Sequence, residues 1–290
     1  MLSSCVTCTD MNHMRVALAG VLLSLLCAAC MSSHTERLTH VALRAGMQPL
    51  ELRGLQFQLA AFERTQPEDT RLIVMIEGDG SPWIRHGQEV SADPATRNPL
   101  VLRIAARTHA SVLYLGRPCY FGHARDTDCS PELWTTARYS RRVVASMAAA
   151  INAYAAGRDV HRVLLLGHSG GGTLAVLIAP LLQIQPEVVT ISANLDIDTW
   201  AQVHGFTPLA ESMNPSNEPP LPAAIRELHF AGARDTDVPV TTIARYIQRL
   251  SPSQLRVVPG FDHVCCWEQQ WPRFWAEIEQ WLDEVPRSTY

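Results

Sequence analysis

The chain has 290 residues, 47% of them hydrophobic and 18% charged, with a formal net charge of −4. That composition excludes a disordered chain, which needs fewer apolar and more charged residues, a basic nucleic-acid-binding domain and a multi-pass membrane protein. All 24 basic residues are arginines, which removes P-loop, Schiff-base and lysine-base chemistry.

Residues 16–29 read VALAGVLLSLLCAA, without a charge, between Arg15 and Cys30. A basic start, an apolar stretch and small closing residues describe a signal peptide, and the run is too short to span a bilayer as a helix. A buried core helix, the alternative, would carry polar residues on its outer face. Leu26-Cys27-Ala28-Ala29-Cys30 also resembles the lipobox of bacterial lipoproteins, although Cys27 stands where that motif usually has leucine. The resemblance implies acylation of Cys30 and attachment to a membrane; the alternative is simple cleavage and secretion. Met14 is an alternative start, and Cys5 and Cys8 are then never made. The expectation is a signal segment over 1–30 and one domain over 31–290. Such a segment implies export to the cell envelope or periplasm, as an outer-membrane lipoprotein if Cys30 is acylated.

Strands and helices alternate thereafter. Residues 55–62 read as a strand, and 72–76 as a wholly apolar one ending in Glu77-Gly78-Asp79-Gly80. A helix over 94–107 leads to a strand over 112–115, which ends in Gly-Arg-Pro-Cys. A long helix over 131–156 has proline in its first turn. The strand over 160–166 runs into Gly167-His168-Ser169-Gly170-Gly171-Gly172 and a helix to about 182. Strands over 188–192, 228–231 and 255–258 follow, with helices over 238–250 and 267–285. Residues 196–224, rich in proline and asparagine, read as an excursion over one end of the sheet. Short apolar strands between amphipathic helices argue for a largely parallel sheet covered on both faces.

Gly167-His168-Ser169-Gly170-Gly171 matches G-x-S-x-G between an apolar strand and a helix, the context of a nucleophile elbow. The sharp turn lifts Ser169 Oγ into the open and aims the Gly170 N–H at a developing negative charge. A rival reading takes Gly170-Gly171-Gly172-Thr173-Leu174-Ala175 as a dinucleotide fingerprint, with Asp196 lying 24 residues beyond Gly172. Gly167, not Gly170, leaves the strand, and the segment lies in mid-chain, which counts against it. A serine nucleophile needs a base, and the base an orienting acid. Asp235 follows one strand and precedes Val238-Pro239; His263 follows the next strand. The chain order Ser169, Asp235, His263 is that of hydrolases built on such sheets. The second oxyanion donor falls to the backbone N–H of Asp79 or Gly80. A carboxylate facing an oxyanion is unfavourable, so the Asp79 side chain is expected to turn away.

Beyond the export segment the cysteines are Cys119, Cys129, Cys265 and Cys266. An oxidising compartment makes disulfides the default, and four cysteines allow three pairings. A Cys119–Cys129 bridge would close a short loop and contribute roughly 3 kcal/mol in the chain-entropy model. A zinc site with His263 is the rival, but the spacing fits no common zinc pattern.

From about residue 55 to its end the chain resembles the α/β-hydrolase superfamily. The phrases Glu-Gly-Asp-Gly-Ser-Pro-Trp, Leu-Gly-Arg-Pro-Cys-Tyr, Ser-Gly-Gly-Gly, Asn-Leu-Asp and Cys-Cys-Trp are similar to those of a group of bacterial exported hydrolases. The resemblance implies an α/β fold with an eight-stranded, mostly parallel sheet, a small excursion in place of a large lid, and no cofactor or metal. It implies no particular substrate. In the implied strand order, Cys119 and His263 follow strands five intervals apart, roughly 24 Å at about 4.8 Å each. Cys119 therefore pairs more easily with Cys129, leaving Cys265 and Cys266 as free thiols beside the active site or, less readily, as a vicinal disulfide, since adjacent cysteines bridge only with strained geometry. The expected function is hydrolysis of a carboxylic ester or similar acyl bond in a small-molecule substrate. Peptidase or thioesterase action, or a non-catalytic envelope lipoprotein of the same fold, are the alternatives. Trp83, Arg117, Trp200 and His204 are the candidate pocket residues.

Overall fold

A computed structural model describes residues 34–284, apart from 86 and 252–253; the export segment and Cys30 lie outside the described residues. Strands β1 (Gln48–Arg53), β2 (Gln58–Arg64), β3 (Arg71–Ile76), β6 (Val112–Leu115), β7 (Arg162–His168), β8 (Pro186–Ile191), β9 (Arg226–Gly232) and β10 (Leu255–Val258) form one sheet in the order β1-β2-β6-β3-β7-β8-β9-β10. The β1–β2 and β2–β6 pairs are antiparallel and the others parallel. A separate ribbon pairs β4 (Trp83–Ile84) with β5 (Glu89–Val90).

The centre of the sheet is apolar because it is covered twice. Every residue of β3 and β7 after the leading arginine is buried, as is all of β8, the signature of strands sandwiched between helices. Helix α4 (Gly170–Ile178), which follows β7, is likewise buried along its whole length. The closing helix α7 (Trp271–Asp283) is one-sided: Trp271, Phe274, Ile278 and Leu282 are buried, at the spacing of one helical face. No helix among the described residues is long and apolar enough to cross a membrane.

Several elements differ from the sequence expectation. Helix α1 (His34–Arg44) and β1 were not foreseen. β1 reads QPLELR and is half-exposed; as the sheet's edge it needs no buried face and tolerates proline and charge. The helix expected over 94–107 is α2 (Leu100–Ala106). The long helix expected over 131–156 is broken: a 3₁₀ turn covers Pro131–Trp134, and α3 (Arg141–Ala155) starts after Ser140. The excursion, residues 192–225, contains α5 (Ile197–His204). Of the helix expected over 238–250, a 3₁₀ turn (Val240–Ile243) and short α6 (Ala244–Ile247) are formed.

Cys119 and Cys129 are joined by a disulfide, as expected from their separation from β10. Of the two options for Cys265 and Cys266, the less favoured one holds: they are bonded to each other across a cis peptide. With Cys119 and Cys129 consumed by one another, each of these two has the other as its neighbouring sulfur.

Candidate active site

Because β3, β7, β8, β9 and β10 run parallel, the loops that leave their C-terminal ends meet at one edge of the sheet, where ligands bind in open α/β sheets. Ser169 stands between β7 and α4 with φ 54° and ψ −126°, a conformation rarely open to a side-chain-bearing residue. The turn holds it there: Ser169 N–H donates to Ile191 O at 2.9 Å, and Ser169 O accepts from Gly172 at 3.0 Å. Glycine is required at 171, where a Cβ would overlap the Ile76 carbonyl of β3.

Asp235 leaves β9 and His263 leaves β10. His263 Nδ1 lies 2.9 Å from Asp235 Oδ2. Asp235 Oδ1 accepts the N–H groups of Asp237 at 2.9 Å and Val238 at 2.8 Å. Burial pushes the Asp235 carboxyl up, but His263, through its hydrogen bond and charge, and the Val238 N–H outweigh it and hold the group below its ordinary value. An ionised Asp235 accepts Nδ1–H, which leaves the lone pair of His263 on Nε2. The structure thus places His263 and Asp235 together and brings their loop to the elbow, while no hydrogen bond joins Ser169 Oγ to His263 among the described residues.

The link between the two loops is made by His168, to which the sequence reading assigned no role. Its Nε2 lies 2.8 Å from His263 O, and the two imidazole rings are 4.8 Å apart. Burial, with His263 beside it, pushes His168 down to about 3, so it is neutral and donates Nε2–H to the carbonyl. It occupies the variable position of G-x-S-x-G, and the motif alone gives no signal of this contact.

The loop after β3 faces the elbow from the other side. A Cβ on Gly78 would sit 3.4 Å from Ser169 Cβ, so the Gly78–Asp79 peptide passes directly by the serine. None of the N–H groups of Gly170, Asp79 and Gly80 donates to another described residue. The Asp79 side chain is held by three buried partners. Its Oδ1 pairs with Arg117 Nη1 at 2.8 Å, its Oδ2 with Arg138 Nη1 at 2.8 Å, and Tyr139 Oη donates to it at 2.7 Å. The carboxylate closes over Gly170, where a Cβ would overlap both Asp79 Oδ1 and Tyr139 Oη. Burial opposes ionisation, but the charges of Arg117 and Arg138 and the Tyr139 bond hold Asp79 far below the usual carboxylate range. The carboxylate is thus neutralised locally by two guanidinium groups.

A cleft of about 640 Å³ opens beside this loop, walled by Asp79, Gly80, Pro82, Trp83, Arg138, Trp200, Phe206 and Leu209 among others. Trp83 and Trp200, two of the candidate pocket residues, line this cleft. Arg117 does not wall the cleft: it is 3% exposed, fixed behind Asp79 and against the rings of Tyr120 and Tyr139. His204 sits behind the wall, stacked on Phe206 and donating Nε2–H to Asp237 O at 3.0 Å. Arg138 was missed because the expected continuous helix over 131–156 would have hidden it. Asp196, the acid of the dinucleotide reading, is fully buried as the N-cap of α5 and bonded to Asn214 and Arg245, so no ribose reaches it. A second depression, of about 390 Å³, reaches His263 and is lined by Arg234, Thr236, Asp237, Asp262 and Val264.

No protein-family model matches the chain, and no curated protein matches it. Solved structures do. A bacterial membrane phospholipase A, described as a virulence factor, matches with a TM-score of 0.59 and 17% identity over 93% of this chain and 99% of its own. An esterase of Pyrococcus furiosus matches with a TM-score of 0.56 and 16% identity, over 83% and 92%. An α/β serine hydrolase without lid, from Xanthomonas campestris, matches with a TM-score of 0.53 and 15% identity, over 83% and 97%. At such identities the likeness is one of fold, and the fold is that of the α/β hydrolases.

Proposed function

We propose that this α/β-hydrolase-fold chain is a serine hydrolase that cleaves a carboxylic ester or similar acyl bond in a small molecule. One observation carries the reading: the Asp235–His263 hydrogen bond of 2.9 Å, on loops that converge on a serine held at φ 54°. In the reaction His263 Nε2 takes the proton of Ser169 as Oγ attacks the carbonyl carbon. The tetrahedral oxygen is held by the N–H groups of Gly170 and Asp79, with Gly80 adjacent. His263 passes its proton to the departing alkoxide, and water, activated by the same nitrogen, then releases the acid and restores Ser169. Asp235 fixes the tautomer and balances the imidazolium. The serine mechanism asks for neither metal nor cofactor.

Export is part of the proposal. The apolar segment over 16–29 supports it, and so do the two disulfides, which persist outside a reducing cytoplasm. Attachment to a membrane through an acylated Cys30 extends it.

A fluorophosphonate probe on the purified protein tests the activity. Labelling of the wild type and its loss in Ser169→Ala are expected. An unlabelled wild type, or equal labelling of the variant, contradicts the reading.

A further inference from the structure

The cleft beside the Asp79–Gly80 loop is walled by one guanidinium that the serine mechanism leaves unused. Arg138 stands in the break before α3, with its side chain 8% exposed. Its Nε donates to Thr135 O at 2.7 Å and its Nη1 to Asp79 Oδ2 at 2.8 Å. Its third nitrogen, Nη2, donates to no described residue, and the side chain belongs to the cleft wall. Charge is unbalanced here. Among the described residues, Asp79 is the one carboxylate paired with Arg117 and Arg138, so two fixed cations share one anion. Asp79 and Arg138 are also the charged groups of the cleft wall. The depression that reaches His263 has the opposite balance, with Asp237 and Asp262 against Arg234.

We propose that the cleft takes a part of the substrate that bears an anionic oxygen group, a carboxylate or a phosphate, and that Arg138 Nη2 holds it while the scissile carbonyl lies at Ser169. This rests on the serine-hydrolase reading and narrows its substrates to anion-bearing esters. A guanidinium already pinned by Thr135 and Asp79 loses little freedom when it binds. Apolar walls at Pro82, Trp83 and Trp200 strengthen a charge-assisted hydrogen bond by excluding water. In the depression at His263 the same anion meets Asp237 and Asp262, so charge also orients the substrate.

Steady-state hydrolysis of two matched pairs of esters by the full chain tests this. Mono-p-nitrophenyl glutarate against p-nitrophenyl valerate places a carboxylate on the acyl side. Butyryl-glycerol phosphate against monobutyrin places a phosphate on the alcohol side. In at least one pair the charged ester is expected to exceed its neutral partner in kcat/KM by about tenfold or more, chiefly through KM; the pair that does so identifies the source of the anion. In R138Q that ratio falls to about one, and R138K keeps part of it. Wild-type ratios at or below one in both pairs overturn the proposal without recourse to any variant. So does a ratio that R138Q leaves unchanged, or fluorophosphonate labelling without turnover of any of the four esters. Absence of both turnover and labelling overturns the serine-hydrolase reading itself, and the proposal with it.

Discussion

Asp79 Oδ1 and Oδ2 lie among Arg117, Arg138 and Tyr139, and the side chain closes over Gly170, where no Cβ fits. Its main chain and side chain therefore serve different ends: the N–H is the proposed oxyanion donor, and the carboxylate locks two buried guanidinium groups. Removing a partner of a buried pair leaves an uncompensated charge. Asp79→Asn is expected to cost about 3 kcal/mol or more at neutral pH. The pH dependence follows from the depressed value of this carboxyl. Its stabilisation is complete above the unfolded value, near 4, and is lost as pH falls toward the folded one. Urea unfolding should thus show the gap between wild type and variant closing on acidification below about pH 4. A constant gap, or none at neutral pH, contradicts the assignment.

Glu77, the last residue before that loop turns, ties β3 to α2. Its carboxyl accepts the N–H groups of Val101 at 3.1 Å and Leu102 at 3.4 Å, at the open N-terminus of α2, and the Tyr114 hydroxyl at 3.3 Å. Burial nevertheless dominates and pushes Glu77 up to about 7. The sign is opposite to that of Asp79. The unfolded chain releases this proton near 4.3 and the folded one near 7, so stability falls as pH rises between them and is flat above. Glu77→Gln, which keeps an acceptor for the same N–H groups, should gain stability relative to wild type across that interval; parallel curves contradict this. These linkages also mark what sequence could convey. Ser169, Asp235 and His263 were legible because each follows an apolar strand, and strand ends converge wherever a sheet is parallel. His168, Arg138 and Glu77 were not, because each acts on a residue far away in the chain. The break before Arg141 had one local signal, Ser140, a residue type that favours helix starts; the excess of alanine and valine around it concealed the stop.

At the scale of the molecule, six parallel strands deliver their loops to one edge, and a single excursion between β8 and β9 walls the cleft with Trp200 and Phe206. The eight-stranded, mostly parallel order was anticipated from family resemblance; the antiparallel edge hairpin escaped notice because β1 has no buried face to set an apolar alternation. An excursion built around one short helix leaves the cleft of about 640 Å³ without a large cover for long chains. Rates on p-nitrophenyl esters should accordingly be highest between butyrate and octanoate and fall sharply at palmitate; a maximum at palmitate contradicts this view of the cleft. The central claim is that Ser169 becomes acylated, and rapid-quench mass spectrometry during turnover of p-nitrophenyl butyrate reads it directly. One butyryl group per chain on the peptide carrying Ser169, formed with the first p-nitrophenol released and absent from Ser169→Ala, is the predicted result. Turnover that persists in Ser169→Ala, or a butyryl group found on another residue alone, would contradict it.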